Sequence, residues 1–221
     1  MARAAKRKSA KRANSGRTKT AKSTKSAASR RTASSRKNGR APASRTSAGR
    51  EPSAIKLLKQ DHRAVEELFE EFERARRPGD KRAIARQICQ ELTIHAMIEE
   101  EIFYPAVKEA IDEQVYSEAH VEHDGAKVLI AEIMAADPSD EFYDARVKVL
   151  SEMVKHHVKE EEKRDGMFAQ ARRGEIDFEE LAERLETKKE DLTRLMNRNG
   201  IPAPEARTMH GARVRLGHPV A

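Results

Sequence analysis

The sequence has no tryptophan and one cysteine, Cys89, among its 221 residues. A single cysteine cannot form a disulfide within the chain, so a disulfide-stabilised scaffold is excluded. No run of about 18 consecutive apolar residues occurs, which a membrane-spanning helix would need. Neither a CxxC pair nor a glycine-rich phosphate loop is present. We therefore expect no membrane partner, and Cys89 is expected to be a small apolar residue of the core.

Charge divides the chain into unlike parts. Residues 1–50 contain 17 Lys or Arg and no Asp or Glu, whereas residues 51–197 contain 23 basic and 36 acidic residues. Residues 1–50 also lack Val, Ile, Leu, Phe and Tyr. Because nothing in this segment can form a core that offsets the entropy lost on ordering, we expect a disordered basic arm.

The basic arm suggests electrostatic binding to nucleic acid, in which Lys and Arg neutralise phosphates without reading sequence. Its composition resembles the tails of linker histones and bacterial histone-like proteins. Two other interpretations stay open, a solubilising linker and an arm that folds back on the acidic body. Because no apolar segment of a secretory signal follows the positive start, we expect a cytoplasmic protein, associated with the nucleoid if the arm binds DNA.

From Ser53 onward, apolar residues recur with a helical period of about 3.6. Short breaks separate five predicted helices, over 53–77, 81–111, 114–136, 140–173 and 178–199, the last capped by Asp177. Short connections make successive helices antiparallel neighbours. The sequence thus predicts an all-α, up-down-up-down four-helix bundle over 51–174, a further helix within 175–199 and a tail over 200–221.

Four histidines are predicted to lie in one layer of the bundle. Two residues of an antiparallel helix pair lie at the same height when they are equally far from the connecting loop. The four histidines are His62, His95, His123 and His157. For each consecutive pair, the residue number midway between the two histidines falls at the predicted loop that joins their helices. The apolar stripes of their helices place these four side chains toward the interior.

Two carboxylates accompany the histidines one helical turn later, Glu99 after His95 and Glu161 after His157. Imidazole and carboxylate together suit iron, zinc, manganese or copper better than calcium or magnesium. Carboxylate-bridged metal pairs in helical bundles favour iron or manganese. Hydrogen-bonded core histidines and a solvated acidic face are the alternatives for single members of the set.

Four segments together resemble the hemerythrin-like proteins with HHE cation-binding domains, over about residues 53–173. They are LLKQDH ending at His62, HAMIEEEIFYP starting at His95, VEH ending at His123 and HHVKEEEKRDGMF starting at His156. The resemblance implies a four-helix bundle with a non-haem di-iron centre. It also implies that the iron ligands are His62, His95, Glu99, His123, His157 and Glu161.

Three positions depart from the oxygen-carrying hemerythrins. His120 and His123 are spaced i,i+3 instead of i,i+4, so His120 either completes the ligand set or points away. Glu161 replaces the aspartate of the carriers, which follows the HHE pattern. Gly166 interrupts the fourth helix, where a bulge is expected.

The sequence supports two principal hypotheses about function. The first is a non-haem di-iron protein that senses, binds or stores oxygen, nitric oxide, peroxide or iron, tethered to DNA if the arm binds it. The second is a nucleoid-associated DNA-binding protein whose bundle is a scaffold. A weak peroxidase or oxidase is a third reading, without a substrate-pocket signature or a general base outside the ligand set. The sequence gives no indication of the oligomeric state.

Overall fold

A computed structural model describes residues 51–209, and the predicted disorder of residues 1–50 lies outside the described residues. Over 51–209 the chain is helical and contains no strand. The main helices are α1 (Ser53–Arg74), α2 (Pro78–Ile98), α3 (Glu113–Ala135), α4 (Tyr143–Glu162), the short α5 (Met167–Ala171) and α6 (Phe178–Asn199). Between α2 and α3 the chain forms a π-helical turn (Glu99–Phe103), one α-helical turn (Tyr104–Val107) and a 3-10 turn (Lys108–Ala110). The predicted four-helix bundle with an additional helix is confirmed, with α6 packed against α1 and α2.

Helix α2 starts earlier than predicted. Pro78 is the first residue of α2, where the sequence predicted a break before residue 81. Proline fits the first helical turn because its fixed φ suits the helix and its missing N–H would have no partner there. Helix α1 begins at Ser53, whose hydroxyl donates 2.7 Å to the carbonyl of Phe178. Ser53 therefore joins the start of α1 to the start of α6.

The fourth helix ends earlier than predicted. It stops at Glu162 and the chain turns before α5 begins at Met167. A Cβ atom at Gly166 would lie 2.2 Å from the carbonyl oxygen of Glu160, so only glycine permits this close return of the chain. The prediction of one helix to residue 173 is wrong, whereas Gly166 marks the irregularity as expected.

Two apolar clusters lie on either side of a polar layer. On α1, Ile55 and Leu58 belong to the first cluster, Val65 and Phe69 belong to the second, and His62 lies between them. The second cluster also contains Cys89, which is fully buried as expected. The fold therefore places one histidine layer between two water-excluding cores.

Leu58→Ala tests how much the first apolar cluster contributes to the stability of the fold. Its side chain is fully buried, so Leu58→Ala is expected to lower the free energy of unfolding by about 2–5 kcal/mol through lost burial and the cavity left behind. Chemical denaturation followed by circular dichroism measures the change. Leu195→Ala is the matched control, because Leu195 is 49% exposed and its truncation should cost far less.

The segment after α6 contacts the bundle. Residues 201–209, here called the C-terminal strap, have no regular structure. The backbone N–H and the hydroxyl of Thr208 donate to Asp124 Oδ2 on α3, at 2.6 and 2.8 Å. The first part of the predicted tail thus lies against α3, while residues 210–221 are outside the described residues. Among the helices of residues 51–209, none combines the length and apolar character that crossing a bilayer requires.

Candidate metal centre

Each of the four long bundle helices contributes one buried histidine to the polar layer. His62 lies on α1, His95 on α2, His123 on α3 and His157 on α4. The Nε2 atoms of His62 and His95 are 3.1 Å apart, and those of His123 and His157 are 3.2 Å apart. The layer therefore consists of two histidine pairs whose Nε2 atoms converge.

Two buried carboxylates connect the histidine pairs. Glu99 Oε2 lies 3.3 Å from Nε2 of both His95 and His123. Glu161 places Oε2 3.5 Å from His62 Nε2 and Oε1 3.7 Å from His157 Nε2. The structure thus brings together all six residues that the sequence singled out. Two adjacent groups of this set could each hold a cation, His62 and His95 with Glu99, and His123 and His157 with the same Glu99.

A second set of four carboxylates surrounds the histidines. The Nδ1 atoms of His62, His123 and His157 lie 2.8, 3.0 and 2.8 Å from carboxylate oxygens, and that of His95 lies 3.7 Å from one. The partner is Glu162 for His62, Glu100 for His123, Glu122 for His157 and Asp61 for His95. A carboxylate at Nδ1 fixes the tautomer and leaves the Nε2 lone pair free for a metal.

These outer carboxylates form a closed ring around the bundle, which the sequence reasoning missed. Asp61 on α1 faces the histidine of α2, Glu100 beyond α2 faces that of α3, Glu122 on α3 faces that of α4, and Glu162 on α4 faces that of α1. Each one is also adjacent in sequence to a member of the inner set. That adjacency is the signal by which the sequence could have identified them.

The additional helix α6 reaches this ring. Lys189 donates to Asp61, the outer carboxylate that faces His95, and Lys188 lies 2.6 Å from Glu101. Asp61 Oδ2 and His95 Nδ1 are both buried without a hydrogen-bond partner among the described residues. The His95 ring is therefore less tightly oriented than the other three, and α6 holds the carboxylate that would orient it.

The two inner carboxylates oppose each other electrostatically. Burial raises the pKa of Glu99, but His95 and His123 outweigh burial and lower it overall. Burial and the neighbouring charge of Glu99 raise the pKa of Glu161 well above its usual range. Two negative charges are therefore disfavoured in this layer unless cations neutralise them.

Unsatisfied ligand atoms indicate that metal ions fit the site. Glu99 Oε1 and Glu161 Oε2 are buried and have no hydrogen-bond partner in the part of the chain that the structure describes. Burial lowers the pKa of His62 to about 4, so this imidazole is neutral and its free nitrogen can bind a metal. A pair of cations would satisfy both oxygens and remove the repulsion between the carboxylates.

Tyr104 is a further polar group of the centre that the sequence reasoning missed. Its hydroxyl lies 3.2 Å from His123 Nε2, 3.2 Å from Glu161 Oε1 and 3.3 Å from Glu99 Oε2. In a regular α-helix, residues five apart differ by about 140° around the axis. The chain between Glu99 and Phe103 forms a π-helical turn instead, which brings residues 99 and 104 onto one face.

The remaining singled-out histidines lie outside the inner set. The His120 ring packs edge-on against the rings of Tyr104 and Tyr116, whose centroids lie 5.3 and 4.7 Å from its own. His120 therefore supports the position of the Tyr104 ring. The side chain of His156 is 63% exposed, and its Nε2 lies 3.3 Å from Glu122. Helix α4 thus turns His157 inward and His156 outward.

Known proteins resemble this chain in sequence and in fold. The model of the hemerythrin HHE cation binding domain family matches residues 53–171. A DNA nickase from Nostoc sp. is 34% identical over 106 residues, which are 48% of this chain and 30% of that protein. The chain thus matches less than a third of that relative's length.

A solved structure shares the fold. It is a hemerythrin HHE cation binding domain-containing protein from Mycobacterium kansasii, with a TM-score of 0.57 and 21% identity. The match covers 67% of this chain and 94% of that one. The resemblance inferred from the four segments is confirmed, because the family model spans more than half of the sequence. The chain therefore belongs to the hemerythrin HHE cation-binding domain family.

Proposed function

We propose that the protein is a non-haem di-iron protein that binds a small ligand such as oxygen, nitric oxide or peroxide. The observation that carries this proposal is that Glu99 and Glu161 join the two histidine pairs. Each of these carboxylates also has one buried oxygen without a hydrogen-bond partner among residues 51–209. Carboxylate-bridged metal pairs inside helical bundles favour iron or manganese. Tyr104 adds an oxygen donor of the kind that binds ferric iron.

The chain's own residues define what this centre does. The outer carboxylates orient the imidazoles, and the apolar clusters on both sides exclude bulk water. The Tyr104 hydroxyl lies within hydrogen-bond distance of both inner carboxylates and can donate a proton to either. Iron, when bound, supplies open coordination positions and a change of oxidation state.

Metal analysis together with optical spectra tests the proposal. Protein purified without added metal is expected to contain about two iron atoms per chain, as in carboxylate-bridged pairs. Its near-ultraviolet charge-transfer absorption should change between air and reductant. A folded bundle that carries no metal, or only zinc, contradicts the proposal.

Replacing Tyr104 by phenylalanine tests whether the Tyr104 hydroxyl binds iron or only hydrogen-bonds to the neighbouring carboxylates. If the phenol oxygen binds ferric iron, the variant is expected to lose a visible charge-transfer band while keeping its iron, because the other six ligands remain. Tyr116→Phe is the matched control, since Tyr116 packs against the Tyr104 ring and makes no hydrogen bond to Glu99 or Glu161 within the part of the chain that the structure describes. Identical spectra for wild type and Tyr104→Phe would show that Tyr104 is not a ligand.

We also propose that residues 1–50 bind nucleic acid without sequence preference, which would place the protein at the nucleoid in the cytoplasm. The 17 basic residues without an acidic one support this. A link between the chain as a whole and DNA is supported by its similarity to a protein named a DNA nickase.

Two assays on the full chain test the nucleic-acid proposal. DNA binding should weaken by about a thousandfold between roughly 50 and 200 mM salt, and should disappear when the Lys and Arg of residues 1–50 are replaced by Gln. Undiminished binding by that variant assigns the contact elsewhere. Nicking of supercoiled plasmid that is lost in Glu99→Gln while DNA binding persists would add strand cleavage to the function of the metal centre.

A further inference from the structure

A cavity of about 330 Å³ lies beside the histidine layer. All four inner histidines contribute to its lining. The share of liquid volume that one water molecule takes is about 30 Å³, and a diatomic ligand is of similar size. The cavity is therefore roughly ten times larger than the ligand that oxygen or nitric oxide binding requires, and it lies within the range of pockets that hold organic molecules.

The walls of the cavity are mostly apolar. Helices α1 to α4 contribute six apolar side chains to these walls, namely Val65, Leu92, Ile130, Met153, Val154 and Val158. A chain of hydrocarbon can therefore lie along the bundle while a polar end reaches the histidine layer. If only water filled the cavity, its apolar walls would remain in contact with water, which is unfavourable.

The C-terminal strap supplies the outer wall. Pro202, Ala203 and Pro204 line the cavity, although they lie beyond residues 53–171, where the family model matches. The strap is held by Thr208 on Asp124, and Asp124 also accepts a 3.0 Å hydrogen bond from Lys127. The shape of this cavity is therefore set partly by a segment outside the metal-binding domain.

The charges in the lining disfavour an anion. Lys127 is already bound by Glu100 at 2.7 Å and by Asp124 at 3.0 Å. Arg207 is the other cation of the lining, and Glu91 and Glu205 outnumber it. An uncharged molecule avoids the repulsion that a carboxylate or phosphate would meet there.

We propose that this cavity binds an uncharged organic molecule with an apolar body, whose polar end faces the histidine layer and whose outer side lies against the C-terminal strap. The proposal deepens the proposed function, on which it rests, by naming the class of ligand that reaches the metal centre. The apolar body sets the affinity, and the strap sets the length of ligand that fits.

Calorimetric titration of the iron-loaded full chain with linear alcohols from ethanol to octan-1-ol tests this proposal. Affinity is expected to rise by about fourfold for each buried methylene until the cavity is filled. In the metal-free chain, where no cation offsets the acidic lining, octanoate should bind more weakly than octan-1-ol. Equal affinity for ethanol and octan-1-ol, or tighter binding of octanoate by the metal-free chain, would overturn the proposal.

Ala126→Phe assigns the binding to this cavity. The added ring occupies space between α3 and the strap, so octan-1-ol affinity should fall at least tenfold while iron content and the spectral response to azide stay unchanged. Ala83→Phe, at an exposed position of α2 outside the lining, should bind octan-1-ol like the wild type. Ala203→Phe in the strap gives the same test without altering a helix.

Unchanged octan-1-ol affinity in both cavity-filling variants would overturn the assignment. Loss of the proposed iron function is read separately, as iron content before any alcohol is added. An iron-free chain that still binds octan-1-ol with the same chain-length dependence would retain the cavity proposal and refute the di-iron function.

Discussion

Replacing Glu99 by glutamine is expected to remove most of the metal from both positions of the centre. One oxygen of Glu99 lies 3.3 Å from Nε2 of His95 and of His123, so a single side chain serves both histidine pairs. The amide keeps the shape of the carboxylate and loses its negative charge. Metal content by plasma mass spectrometry should fall to well under half of the wild-type value.

Glu100 and Glu101 provide graded controls beside Glu99. Glu100→Gln keeps every inner ligand and weakens the orientation of His123, so metal affinity should fall by about 10–100-fold. Glu101 is exposed and pairs with Lys188, so Glu101→Gln should bind metal like the wild type. Equal losses in all three variants would mean that the helix, not the ligand set, had been damaged.

The histidine layer was predictable because it depends on quantities that the sequence contains. Helix periodicity puts His62 and His95 on apolar stripes, and a loop at their midpoint sets them at one height. The structure gives their Nε2 atoms a separation of 3.1 Å. Small errors in the helix ends, such as the start of α2 at Pro78, leave the midpoint almost unchanged.

The outer carboxylates were not predicted, because their role depends on contacts between helices. Glu100 and Glu162 stand within acidic runs, where the ordinary expectation for each residue is a solvated surface. Only the packing of adjacent helices shows that each faces the histidine of the next one. In this chain, each outer carboxylate is the sequence neighbour of one inner residue and faces the histidine of the next helix.

Tyr104 and the C-terminal strap were missed for different physical reasons. Regular α-helical geometry turns residue 104 away from residue 99, and the π-helical turn that realigns them has no clear sequence signal. The strap is anchored by Thr208 on Asp124, a contact between residues 84 positions apart. Such a tertiary contact leaves no periodic pattern in the sequence.

The adjacent histidines of α4 provide the sharpest test of the ligand assignment. Successive helical residues differ by about 100° around the axis, so His156 and His157 cannot both face the interior. His157 is largely buried beside Glu161 and His123, whereas the side chain of His156 is 63% exposed. We expect His157→Gln to lose most of its iron and His156→Gln to retain it.

Glu122 makes this comparison well controlled, because it contacts both histidines. Its Oε2 lies 2.8 Å from His157 Nδ1 and its Oε1 lies 3.3 Å from His156 Nε2. Both variants therefore lose a contact with the same carboxylate, and only His157→Gln also removes a nitrogen from the inner set. Iron content and the charge-transfer spectrum distinguish them. If His156→Gln lost the iron instead, α4 would have to be rotated by one residue, and Glu160 would replace Glu161 in the inner set.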